Sequence, residues 1–287
     1  MSLYVLVLVL TAAVLHASWN LLAKKTKGKT PFIWLQYIAS NILYLPFLFF
    51  QTNQGYAIYS QPLLWFSLSS AVLHLGYFIV LQKGYRSADL SVVYPLARGS
   101  APLISSIAAI VFLHEQVKLS STIGLLLIIA GVLIITRLSF KMENNSQIMT
   151  GITYGVLTGL FIALYTFNDA VAVKTYAVSP LILTLATNLF SAVLLLPFVL
   201  PQKDELKREI KEHKWIIVAI ALLSPAAYIL VLEALKYAPL TVVAPARETS
   251  ILLGVFMGSR VFNEEDGKRR LIASVLILGG IIALSFS

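Results

Sequence analysis

From Leu3 to Ala23 the chain runs without an acidic or basic residue apart from the neutral-range His16, and nine further apolar runs follow it. Inside lipid no water is available to pair backbone amides, so runs of this kind fold as helices. About 20 such residues cross the hydrocarbon once. That criterion places ten spans at 3–23, 32–50, 62–82, 88–113, 119–137, 150–173, 180–200, 215–235, 238–262 and 269–286. With 58% hydrophobic and only 12% charged residues, the chain lacks the surface a water-solvated domain needs. The expected class is therefore an all-α integral membrane protein. The first run has no basic segment ahead of it and is too long for a signal sequence, so it is expected to stay as the first spanning helix. Pro31, Pro62 and Pro180 stand where spans begin, positions at which a missing amide costs little.

The chain also matches itself. With Ala88 laid on Ala238, "ADLSVVYPLARGS" falls on "APLTVVAPARETS" without a gap, and Pro95, Ser100, Phe112 and Glu115 fall on Pro245, Ser250, Phe262 and Glu265. The match defines a first five-helix repeat over 1–140, a polar linker over 141–149 and a second repeat over 150–287. Five spans is an odd number, so the second copy enters the bilayer from the opposite side. The expected fold is ten transmembrane helices as two inverted five-helix repeats, an arrangement that places substrate sites near the midplane.

The net charge of +9 reads as topology, not as nucleic-acid binding. Connections after the odd spans hold 16 of the 22 lysines and arginines, against three (Lys118, Lys174 and Lys236) on the other side. By the positive-inside rule the lysine-rich side is cytoplasmic, and both termini are expected outside a bacterial inner membrane. The segment "PQKDELKREIKEHK" is expected to form a short interfacial helix carried by acid–base pairs three and four apart. "NNS" at Asn144 lies on the expected cytoplasmic side and is not read as a glycosylation site.

Paired five-span repeats, "WN" near the end of span 1, prolines in spans 4 and 9, Glu115 and Glu265 just after those spans, Gly124 in span 5 and Gly279–Gly280 in span 10 resemble the drug/metabolite transporter superfamily, EamA type. The resemblance implies a ten-helix carrier with alternating access and a central cavity lined largely by spans 3, 4, 8 and 9. It implies cargo such as amino acids, nucleobases, sugars or drugs. "HASWNLLAKK" is also similar to a branch associated with phosphonate use. Members of the superfamily tend to keep both termini in the cytoplasm, the reverse of the orientation read here.

Arg98 and Arg247 are the charges that demand an explanation. Each lies about 10 residues into its span, roughly 15 Å at 1.5 Å per residue, where a charge costs about 2.5–3.5 kcal/mol on insertion scales. They serve either as structural ion-pair partners of Glu248 or as a planar clamp for an anionic ligand. Pro95, Pro102 and Pro245 beside them are expected to bend spans 4 and 9. Glu248, read as the one carboxylate deep in a span, would pair with an arginine or load and release a proton.

His16, Trp19 and Asn20 share a face of span 1, His74 and Tyr77 of span 3, and Tyr165, Asn168 and Asp169 of span 6. Each set is read as an interhelical hydrogen bond or as part of a binding site. Tyr94 and Tyr228 join Trp19 and Tyr77 as candidate aromatic walls. Gly151, Gly155 and Gly159, and Gly254 with Gly258, form small-residue stripes for close packing. Glu115, Glu265 and Asp266 are read as helix caps and surface pairs. Four histidines without a carboxylate at ligand spacing, and no cysteine, speak against a metal site.

These readings converge on a secondary transporter for a small anionic or zwitterionic metabolite, with no cofactor and with a coupling proton or other ion as a further candidate partner. The candidate binding residues are His16, Trp19, Asn20, His74, Tyr77, Tyr94, Arg98, Tyr228, Arg247 and Glu248. The expected partners are the cargo and the lipid bilayer, not nucleic acid, and the protein is a monomer or homodimer. A membrane-embedded enzyme would need a nucleophile and base, a metal cluster or paired carboxylates, and none stands out. A channel is the other alternative.

Overall fold

The computed structural model describes residues 1–26, 29–53, 55–57, 59–88, 90–135, 145–250 and 267–286. Asn144, Gly254, Gly258, Phe262, Glu265, Asp266 and the rest of the ninth span after Ser250 lie outside the described residues, as do the side chains of Tyr94 and Pro95.

Ten helices are described: α1 (Leu3–Thr26), α2 (Thr30–Asn53), α3 (Gln61–Ser87), α4 (Leu90–Phe112), α5 (Leu119–Ile135), α6 (Asn145–Lys174), α7 (Pro180–Val199), α8 (Lys203–Tyr237), α9 (Leu240–Arg247) and α10 (Gly267–Ser285). Six of them, α1 to α3 and α6 to α8, are long and apolar enough to cross a membrane, and α4, α5 and α10 carry shorter apolar stretches. Local chemistry explains where several begin. Ser60 Oγ accepts the Leu63 amide at 3.2 Å to cap α3, and Pro62 and Pro180 sit in first turns whose amides have no helical partner. Large apolar side chains point outward all round, Phe49, Ile107, Val193 and Phe198 among them. In water that surface would drive aggregation; in a bilayer it is the solvated face.

Two sequence expectations are corrected. The interfacial helix is not separate: α8 runs unbroken from Lys203 to Tyr237. Its 35 residues span about 52 Å at 1.5 Å per residue, well beyond the roughly 30 Å of hydrocarbon. The polar first turns therefore stand outside the apolar slab, where Glu205 pairs with Arg208 at 2.9 Å and with Lys29 at 3.1 Å. In the fourth span α4 is continuous through Pro102. In the ninth span α9 ends at Arg247, and Glu248 donates its amide back to Pro245 O at 3.0 Å. Secondly, Glu248 is not the sole buried carboxylate, because Asp169 on α6 is equally enclosed, each 1% exposed.

The most extensive contacts run between the two halves of the chain, with lesser ones inside each half, as of α4 on α5 and α7 on α8. α1 packs on α8 and α3 on α6, α2 meets α7 and α8 while α7 meets α2 and α3, α4 packs on α6 and α9 while α9 packs on α1, and α5 pairs with α10. Adding five to a first-half helix, or subtracting it from a second-half one, reproduces the same set of pairs. Small residues permit the closest of these approaches. A Cβ on Gly280 would lie 2.8 Å from Gly124 O and 2.6 Å from an Ile128 carbon, so α5 and α10 touch backbone to backbone there. On α6, Gly155 and Gly159 face Val93, Leu96, Ala97 and Ser100 of α4 in the same way.

Proline adds a second kind of contact between halves. Pro225 in α8 cannot donate to the carbonyl one turn earlier, which leaves acceptors exposed in an apolar setting. Ser40 Oγ on α2 donates to Ala221 O at 3.1 Å and Tyr44 OH to Leu222 O at 2.6 Å. Two hydroxyls of one half thus satisfy what a proline frees in the other.

Candidate functional site

At the centre of the helices lies a cavity of about 420 Å³. α1, α2, α3, α7 and α8 supply most of its wall, α6 adds Ile162 and Tyr165, and α4 and α9 each contribute one residue, an arginine. This differs from the wall the resemblance implied, since α1, α2 and α7 carry much of it. The lining extends to Thr26 and Thr30, at the connection between α1 and α2.

Arg98 and Arg247 reach the cavity from opposite halves of the chain and share one carboxylate. Arg98 Nη1 stands 3.5 Å from Glu248 Oε2, and Arg247 Nη2 stands 3.7 Å from Glu248 Oε1. At those separations the groups attract as charges but do not hydrogen-bond; neither Glu248 oxygen accepts a hydrogen bond among the described residues. Arg98 Nη2 also donates to His16 Nε2 at 3.3 Å, so that nitrogen carries its lone pair. Two guanidinium charges against one carboxylate leave the site with one net positive charge.

An aromatic wall lines the same cavity as the arginines. His74 stacks on Tyr165 with ring centres 3.9 Å apart, and Tyr77 and Tyr228 meet Tyr165 edge-on at 6.2 and 6.5 Å. His74 Nδ1 lies 2.8 Å from Ser70 O and must donate to that carbonyl. Trp19, with its ring edge-on to His16 at 5.0 Å, has a buried indole N–H that finds no partner among the described residues. Asn20 turns its amide back onto His16 O at 2.7 Å.

Of the residues singled out in the sequence, His16, Trp19, Asn20, His74, Tyr77, Arg98, Tyr228 and Arg247 all line the cavity. Glu248 does not line it; it lies behind the arginines, 1% exposed. Tyr94 is on α4 with its side chain outside the described residues. Tyr37, Asn188 and Tyr165 also line the cavity. Tyr165 had a sequence signal in its spacing from Asn168 and Asp169, whereas Tyr37 and Asn188 are lone polar positions in apolar helices with none.

The end of the bundle away from Thr26 and Thr30 is tied across the halves. Glu115, just beyond α4, accepts the Leu240 amide at 2.8 Å and the Thr241 amide and hydroxyl each at 3.0 Å, and Lys174 donates to it at 2.7 Å. The cap expected of Glu115 is therefore present, but it caps α9 in the other half, and Lys174 turns it into a clamp. Burial pushes the Glu115 carboxyl upward, yet the Lys174 hydrogen bond and the two backbone amides outweigh it and hold the group below its ordinary value. Gln51 and Ser179 add a further link at 2.6 Å.

Comparison with known proteins adds to this geometry. A solved structure described only as "Crystal structure of protein" superimposes with a TM-score of 0.76 over 98% of this chain and 96% of its own. At 14% identity that likeness speaks to the fold alone. Among curated proteins no sequence match is found. The EamA-like transporter family matches twice in tandem, over residues 3–137 and 149–286. Apolar helices that enclose a polar cavity, and a family match that takes in nearly the whole length, lead to one conclusion: this multi-pass membrane protein belongs to the EamA-like transporter family, within the drug/metabolite transporter superfamily.

Proposed function

We propose that the protein is a secondary carrier that moves a small, singly anionic or zwitterionic metabolite across a bacterial inner membrane by alternating access. One observation carries the reading: Arg98 and Arg247, one from each half, meet at the cavity wall over a single shared carboxylate. The residual charge of +1 suits one carboxylate or one monoanionic phosphonate group, which the guanidinium fork grips in two-point fashion. A cavity of about 420 Å³ suits a metabolite more than a lipid. The aromatic wall and the unpaired Trp19 N–H complete a pocket with apolar sides and a few fixed polar points.

The exchange of helix pairs between the halves supports an inverted-repeat reading, since it is the pattern a twofold axis in the membrane plane produces. The cavity wall reaches Thr26 and Thr30, on the side of the lysine-rich connections. By the positive-inside rule that side is the cytoplasm, so this conformation is inward-facing and the Glu115 clamp closes the outside. Cargo that bridges Arg98 and Arg247 bridges the two halves, and their rocking then exposes it to the other face.

A thermal-shift screen of monocarboxylates, amino acids and phosphonates on the purified protein tests the reading. A true ligand at 100 times its Kd stabilises the fold by about 2.7 kcal/mol, and Arg98→Gln and Arg247→Gln each remove that shift and the matching counterflow in liposomes. Both variants transporting at the wild-type rate would falsify the role of the arginines.

A further inference from the structure

Asp169 is a buried acid that the arginine site does not use. It sits on α6, 1% exposed, and three neutral donors surround it. Ser70 Oγ donates to Oδ2 at 3.0 Å, Asn168 Nδ2 to Oδ1 at 2.9 Å, and Tyr228 OH makes a short hydrogen bond to Oδ2. Among the described residues no lysine or arginine forms an ion pair with it. Glu248 is the contrast: equally buried, but flanked by two guanidiniums at 3.5 and 3.7 Å.

The groups that face this acid come from each helix packed on α6. α3 brings His74, linked to Asp169 through Ser70, whose hydroxyl lies 3.3 Å from His74 Nδ1. α8 brings Tyr228, and α6 itself brings Tyr165, stacked on His74. α4 and α9 bring Arg98 and Arg247, whose charges are turned toward Glu248. Lys174, further along α6, is taken up by Glu115. Among the described residues no opposing cation is therefore committed to Asp169, and Tyr228 and His74, which connect it to the cavity, both line the wall.

We propose that Asp169 is the site at which the carrier binds its coupling proton, reached from the cavity through Tyr228 and the Ser70–His74 pair. A proton delivered to the Tyr228 oxygen from cavity water allows the phenol's own proton to cross to Asp169 Oδ2. The net change is one carboxylate made neutral and one hydronium returned to water. Position gives the step its consequence. The ionised carboxylate draws together α3 of the first half and α6 and α8 of the second, and the neutral acid, now a donor itself, holds Tyr228 and Ser70 less strongly. Sodium fits this place poorly, because the neighbouring oxygens are already occupied by one another: Ser69 Oγ donates to Asn168 Oδ1 at 2.7 Å and Asn168 Nδ2 to Phe66 O at 3.0 Å.

This inference rests on the carrier reading, but its test needs no cargo. Infrared difference spectra of the purified protein in liposomes, titrated with acid, report protonated carboxyl groups directly. The expected result is a carboxylic-acid band that appears on acidification in the wild type, is missing in Asp169→Asn and persists in Glu248→Gln. In Tyr228→Phe and Ser70→Ala, which keep the acid and remove one donor to its charged form, the band appears at higher pH. Hydrogen exchange in α3 and α8 should follow the same titration in the wild type and lose its pH dependence in Asp169→Asn. A band that survives Asp169→Asn, that is present at every pH, or that tracks sodium at fixed pH overturns the assignment, as does exchange that ignores the titration. An intact band in a protein that moves no solute would overturn the carrier reading alone.

Discussion

Replacing Glu248 with glutamine removes one charge from a cluster of three and keeps its shape. The two guanidiniums lie 3.5 and 3.7 Å from its oxygens, so at an effective dielectric of about 20 each attraction is worth about 4 kcal/mol. Relief of the carboxylate's own burial offsets part of that loss, and the two arginines left behind repel one another. Removal of one partner from a buried pair costs about 3–5 kcal/mol, and the same figure is expected here. By contrast, Arg247→Gln forfeits one attraction but also ends the repulsion between arginines, so it should cost only about 1–2 kcal/mol. The order of the two variants is the distinctive claim: the carboxylate lacking contact with the cavity matters more to the fold than an arginine on its wall. Thermal unfolding in detergent reads it, at about 2 °C per kcal/mol for a chain of this length, so Glu248→Gln should melt roughly 6–10 °C early. The double variant Arg247→Gln/Glu248→Gln should recover part of the loss, since one unpaired charge has gone. If Glu248→Gln melts with the wild type, or the double variant shows no coupling, water and not the carboxylate solvates the arginines, and the charge argument for the cargo fails.

The clamp at Glu115 makes a pH prediction. Because Glu115 titrates below its ordinary value of 4.5 in the fold, its stabilising effect is complete above that pH and is lost as pH falls through the lowered folded value. Melting temperatures of wild type and Glu115→Gln should therefore differ above pH 4.5 and converge below it; parallel curves would show that the clamp does not titrate. Packing offers a matched pair. Gly280→Ala puts a methyl 2.8 Å from the Gly124 carbonyl, which cannot move aside, while Gly279→Ala meets nothing nearer than 3.8 Å. The first should cost about 1–3 kcal/mol and the second should leave the melting temperature unchanged.

Much of the site could be read along one dimension. Helix spacing alone groups His16 with Trp19 and Asn20, and His74 with Tyr77, because three- and four-residue steps share a face, and the fold turns each of these faces inward. A charge in an apolar run announces itself, which is why Arg98, Arg247 and Glu248 stood out. The same spacing groups Asp169 with Tyr165 and Asn168, but nothing along the chain marks it as a carboxylate buried as deeply as Glu248. Its burial comes from α3 and α8, which lie some 100 and 60 residues away in the chain.

Hydropathy and self-similarity are properties of the chain, so they settle that this protein is a bundle of membrane helices built twice over, and the motifs along it carry its likeness to the family. Distances between helices are not. That Glu248 stands behind its arginines instead of lining the cavity, that Glu115 caps a helix of the opposite half, and that hydroxyls from α2 answer Pro225 all depend on which surfaces meet. A side chain's neighbours across a bundle carry no period along the sequence, and the low-dielectric interior makes those neighbours decide its charge.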